Sequence, residues 1–85
     1  MRNENARHEE VLSAFTTVFG EVIPEVGTVT PRDSMRELGA NSIDRAEIIT
    51  ATMERLDISL PLVEFAEAAN IGDIVAIMSR AGARS

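Results

Sequence analysis

The sequence predicts an all-α fold, a small four-helix bundle of three longer helices and one short helix around a single core. Three observations point there. Apolar residues recur at three- and four-residue steps in three separate stretches, as they do in helices buried along one face. No stretch alternates apolar and polar residues in the manner of a half-buried strand. The 85 residues give room for one domain, taken as residues 1–85, and a hydrophobic content of 45% can fill one modest core.

The first helix is expected from Glu4 to Phe19, where Val11, Leu12, Phe15, Val18 and Phe19 share a stripe and Gly20 supplies a stop signal. A long loop between helices one and two follows, from Gly20 to Asn41, interrupted by Pro24, Gly27, Pro31 and Gly39. Within it, Thr30-Pro31-Arg32-Asp33 has the form of a cap, a first-turn proline and an acid, so one helical turn is expected there. A loop of this length lets the two helices run other than strictly antiparallel. The second helix is expected from Ser42 to Leu56, with Ile43, Ala46, Ile49, Met53 and Leu56 on its stripe. A short helix from Leu62 to Ala66 follows Pro61, since proline suits a first turn whose N–H has no helical partner. The last helix is expected from Ile71 to Ala81, with Ile71, Ile74, Val75 and Met78 inward and Gly82 beyond its end. Phe15, Phe19, Phe65 and the four methionines read as core, each buried large side chain stabilising by roughly 1.5–3 kcal/mol before entropy is subtracted.

Charge narrows the function. Between Glu37 and Asp73 stand eight acids and two arginines, so this stretch carries the whole net charge of −6. Such a surface argues against nucleic acid, whose phosphates require a basic face; it suits basic protein partners recruited partly by charge, or a solvated face that only keeps the protein soluble. There is no cysteine, hence no disulfide, thiolate metal site or cysteine nucleophile. The polar N-terminus lacks the apolar segment of a signal peptide, and no apolar run reaches the ~18 residues of a membrane span. A soluble, cytoplasmic monomer with no membrane or metal partner is expected.

The candidate site is Ser42. Glu37-Leu38-Gly39-Ala40-Asn41-Ser42-Ile43-Asp44 brings a glycine turn to a helix start, with Asn41 as cap and Asp44 three residues later. Ser42 then lies exposed in the first turn, where free N–H groups and the helix dipole favour a phosphate on its hydroxyl. Ile43 is expected to point into the bundle and line an entrance to its interior.

Leu38, Gly39, Ala40, Ser42, Ile43 and Asp44, with Glu47 and Ile48 one turn on, resemble the pattern of the phosphopantetheine-binding carrier family, which includes the acyl carrier proteins. The likeness continues through Ile58-Ser59-Leu60-Pro61 and Asn70-Ile71-Gly72-Asp73-Ile74-Val75, covering about residues 8 to 80. Two positions depart from it. Asn41 replaces the usual acid before the serine, and Arg45 puts a positive charge in an acidic helix, which bears on recognition by general fatty-acid partners. The string Gly-Ala-Asn-Ser-Ile-Asp-Arg-Ala-Glu is similar to the stand-alone donor carriers of polyketide β-branching cassettes.

The resemblance implies a carrier that is not itself an enzyme. Ser42 would hold a covalent 4′-phosphopantetheine arm added by a phosphopantetheinyl transferase. An acyltransferase would load malonyl, a decarboxylating ketosynthase-like enzyme would convert it to acetyl, and an HMG-CoA synthase-like enzyme would accept it. Asp44, Arg45, Glu47, Glu54 and Arg55 would form the docking face on the second helix.

Other readings stay open on the residues alone: a peptidyl carrier, a general fatty-acid carrier, or an acidic helical interaction module in which Ser42 merely starts a helix. A serine hydrolase lacks a base beside its nucleophile, since the one histidine is His8, and no G-x-S-x-G elbow is present. No loop spaces its acids as an EF-hand does.

Overall fold

The computed structural model describes residues 4–83, with side chains described from 7 to 81. Three α-helices follow in order, α1 (Glu4–Val22), α2 (Ser42–Leu56) and α3 (Ile71–Ala83). Two 3-10 turns, Pro24–Val26 and Leu62–Phe65, complete the elements, and no strand occurs among the described residues. The fold is therefore all-helical. The expected short fourth helix is a single 3-10 turn of four residues, of which Phe65 alone is buried.

Helix α1 packs against both α2 and α3, and the second 3-10 turn touches α2 and α3 and bridges them. Of the expected α1 stripe, Val11, Phe15, Val18 and Phe19 are buried and Leu12 is partly buried against them, and the Phe15 and Phe19 rings lie 6.2 Å apart. Gly20 does not stop the helix. A glycine ends a helix when its backbone turns left-handed, and Gly20 has no positive φ, so the Ile23 N–H still donates to the Phe19 carbonyl at 2.8 Å. The chain leaves the helix at Ile23 (φ −130°, ψ 75°), where the following Pro24 disfavours helical backbone. Helix α3 likewise continues past Gly82 to Ala83, with Ile71, Ile74, Val75 and Met78 all buried. Of the methionines, Met35, Met53 and Met78 are core; Met1 lies outside the described residues.

Helix α2 has the expected bounds but a rotated face. Its buried residues are Ile48, Ile49, Thr52 and Met53, while Ile43 is 77% exposed. At 100° per residue, position 43 lies on the far side of the helix from 48, 49, 52 and 53, so the inward orientation expected for Ile43 is wrong. The buried hydroxyls are satisfied within their own helices: Thr52 donates to the Ile48 carbonyl and Ser79 to the Val75 carbonyl, each at 2.7 Å. Asp57, with φ 58°, closes the helix by donating its N–H to Glu54, and Ile58 donates to Met53.

The long loop is held at both ends. At Thr30–Asp33 the Asp33 N–H donates to the Thr30 carbonyl (3.0 Å) and the Thr30 N–H to Asp33 Oδ2 (2.8 Å), a turn capped by its own acid. The helical turn forms just after it: Leu38 N–H donates to the Ser34 carbonyl at 3.0 Å. Gly39, at φ 96°, ends that turn, donating to Arg36 while Ala40 donates to Met35. The loop is also clasped to the start of α3, where Ile71 N–H donates to the Asp33 carbonyl (2.9 Å) and Gly72 N–H to the Pro31 carbonyl (2.8 Å). A Cβ at position 72 would meet the Pro31 carbonyl oxygen at 3.2 Å, a tight contact that glycine avoids.

Candidate functional site

The glycine-ended turn delivers the chain directly to α2. Asn41, in extended backbone (φ −78°, ψ 178°), accepts a hydrogen bond from the Asp44 N–H on its side-chain oxygen at 2.8 Å. Its carbonyl accepts from the Arg45 N–H at 2.9 Å. Ser42 is the first residue of the helix and exposed to solvent. At this position the amides of Ser42 and Ile43 have no acceptor one turn earlier, so they present donors to whatever the hydroxyl carries. The helix dipole adds a partial positive charge, worth typically 0.3–1 kcal/mol to an exposed anion. A phosphodiester on the Ser42 oxygen fits this place, and a neutral Asn41 avoids a carboxylate directly before it.

The five residues expected to dock partners are not one face. Glu47 and Glu54 are exposed and lie with Ile43 and Thr50 along the outer stripe of α2, at steps of three and four. Asp44 is half-buried, its N–H occupied by the cap. Arg45 turns the other way, donating from Nη1 to the Ala40 carbonyl at 2.9 Å and bracing the loop that precedes Ser42. Arg55 reaches across to α1 and pairs with Glu21 at 3.3 Å. That pair is exposed, so it contributes no more than about 1 kcal/mol.

Two features were not expected from the sequence. One is the apolar material left outside: Ile43, Leu62 at 46% exposure and Val63 at 73%. The phase of α2 could have located Ile43, because an apolar residue in register with Glu47 and Glu54 belongs to the acidic face. The other is a half-open cleft of about 490 Å³ between α2, the second 3-10 turn and the start of α3. Ile49, Phe65 and Ile74 line it, and Arg36 and Arg45 also contribute. Its loop and helix walls come together only in the fold, so no local pattern marks it. His8 lies in α1, and no group of three or more His, Cys, Asp or Glu able to hold a metal occurs among the described residues. Among the described residues no helix is long and apolar enough to cross a membrane.

Comparison with known proteins agrees with this geometry. A family model described as the phosphopantetheine attachment site matches residues 9–78. The polyketide biosynthesis acyl-carrier-protein AcpK of Bacillus subtilis (strain 168) is 36% identical over 72 residues, covering 82% of this chain and 88% of that protein. Among solved structures, the chain is similar to one in the crystal structure of the curacin biosynthetic pathway HMG synthase in complex with acetyl donor-ACP. That match has a TM-score of 0.79 and 36% identity, covering 86% of this chain and 96% of the other.

Proposed function

The chain belongs to the phosphopantetheine attachment site family, and from that premise we propose that Ser42 bears the arm and that the protein is an acetyl donor carrier in polyketide β-branching. The observation that carries the reading is the exposed Ser42 hydroxyl at the first position of a helix capped by Asn41. Likeness to a carrier solved with an HMG synthase supports the donor role.

The chain's own contribution is placement. The Ser42 oxygen forms the ester bond to phosphorus, the pyrophosphate bond of coenzyme A breaks, the adenosine bisphosphate leaves, and the hydroxyl proton passes to the transferase. Asn41 holds the helix start so that Ser42 is presented at a fixed point. When bound, the arm supplies a thiol that carries an acyl group as a thioester. The stripe of Ile43, Glu47 and Glu54 offers partners an apolar contact flanked by negative charge, which suits several short-lived encounters in turn. The partners are a phosphopantetheinyl transferase, an acyltransferase, a decarboxylating ketosynthase-like enzyme and an HMG-CoA synthase-like enzyme. The protein acts in the cytoplasm as a monomer and catalyses nothing itself.

Intact-mass measurement after incubation with coenzyme A and a broad-range transferase tests the attachment. One arm is gained by the wild type and none by Ser42→Ala; equal gain by both removes Ser42 from the reading. The donor role is tested by loading malonyl and following its conversion to acetyl and transfer to an HMG-CoA synthase-like enzyme. Efficient loading with amino acids or long acyl chains instead would favour a peptidyl or fatty-acid carrier.

A further inference from the structure

The cleft between α2 and the start of α3 has an unusual lining for so acidic a protein. Its only charged lining residues are Arg36 and Arg45, and the nearby Asp73 carboxylate is engaged by the Ala69 N–H at 2.9 Å. Among the described residues neither arginine is paired with an acid, the two ion pairs being Arg7–Glu10 and Arg55–Glu21. Arg45 spends one N–H on the Ala40 carbonyl, and a guanidinium has five donors, so it can still receive a carboxylate. Ile49, Phe65 and Ile74 supply an apolar lining beneath them. At about 490 Å³ the cleft is in the range of small-ligand sites, which combine apolar walls with a few placed polar groups. Arg45 stands three residues after Ser42, about 4.5 Å along the helix axis, so the cleft lies within range of a flexible group tethered there.

We propose that this cleft seats a short acyl group ending in a carboxylate, carried on the arm at Ser42, with Arg36 and Arg45 holding the carboxylate. The proposal rests on the attachment reading above and adds to it a place for the cargo before its carboxyl is lost. Charge complementarity selects this occupant. A plain short acyl group adds no anion of its own beyond the phosphodiester of the arm, whereas a terminal carboxylate brings one into the cleft and passes its carbon chain over the apolar lining.

The test attaches arms from coenzyme A thioesters bearing an acetyl, a hexanoyl, or a malonyl group with a carbon-13 terminal carboxyl. Intact mass first reads attachment, and the labelled carboxyl is then titrated by NMR. On the protein its pKa is expected about half a unit below that of free malonyl-pantetheine, the size given by an exposed ion pair. Arg36→Gln, at an exposed position, should move it back toward the free value while the fold is kept. The amide signals of Ala68, Ala69 and Asn70 should differ between the malonyl and acetyl forms. A carboxyl that titrates at or above the free value, as a net charge of −6 would impose without the site, overturns the proposal. So does a hexanoyl group that moves the same amides as far as malonyl does. A chain that takes malonyl normally and then fails these readouts leaves the attachment at Ser42 intact; one that takes no arm overturns both.

Discussion

Replacing Ile43 with alanine separates a docking residue from a core residue. The change removes three side-chain carbons, worth about 2.4 kcal/mol if fully buried at about 0.8 kcal/mol each. Ile43 is 77% exposed, so only about 0.6 kcal/mol of this is realised in the free protein. Alanine's better helix propensity returns roughly 0.4 kcal/mol. The two nearly cancel, and the melting temperature should move by less than about 2 °C for a domain of this size. The remaining 1.8 kcal/mol or so is available only when a partner covers the residue, and its loss corresponds to about a 20-fold weaker encounter. Circular dichroism gives the melting temperature, and the concentration dependence of phosphopantetheinyl transfer or of acetyl delivery gives the encounter. An inward Ile43 would behave differently, since truncating a core isoleucine costs about 2–5 kcal/mol and lowers the melting temperature by about 8 °C or more. A fall of that size, or transfer kinetics unchanged with every partner, refutes the assignment of Ile43 to the docking face.

Three further substitutions bear on the helices and their charges. Gly20→Ala should raise the melting temperature by about 4 °C, because Gly20 sits in right-handed helix with open space around a Cβ and alanine gains about 0.5–1 kcal/mol there; a thermal melt showing a loss would contradict the helical backbone at that residue. Asn41→Ala removes the 2.8 Å cap bond to Asp44 and should cost about 1 kcal/mol in urea unfolding, whereas Asn41→Asp keeps the bond and the stability. Equal loss in both would show that the cap is not what holds the start of α2. Glu47→Arg should slow partner turnover about five-fold at low salt, with little change in melting temperature and a difference that fades as salt rises; turnover that does not respond to the reversal removes Glu47 from the docking stripe.

The legible parts of this fold are those decided by local chemistry. Asn41 and Asp44 stand at cap spacing, and the bond between them is where that spacing puts it. The α1 and α3 stripes were readable because their apolar residues fall on one side only. Helix α2 was harder, for it carries isoleucine on two sides, at 43 and at 48–49, and a three-to-four step can be drawn through either set. Burial against α1 and the second 3-10 turn decides between them, and the one local signal for the outcome was the register of Ile43 with Glu47 and Glu54. Gly20 and Gly82 misled for a related reason: glycine permits a left-handed stop without imposing one, and the end of α1 is set by Pro24 instead. The helix start at Ser42 was evident from its neighbours. The cleft was not, because Arg36, Arg45, Phe65 and Ile74 belong to four separate segments.

The clasp between Pro31–Asp33 and Ile71–Gly72 joins positions about forty residues apart through two main-chain bonds. The stretch leading to Ser42 is consequently anchored to an element beyond α2, and a pull at Ser42 is resisted by the far side of the molecule. Deuterium uptake at the Ile71 and Gly72 amides then becomes a gauge of when that anchor lets go. Uptake there that stays slow while the exposed loop tip exchanges quickly would mark a stiff mount beneath a freely swinging tether.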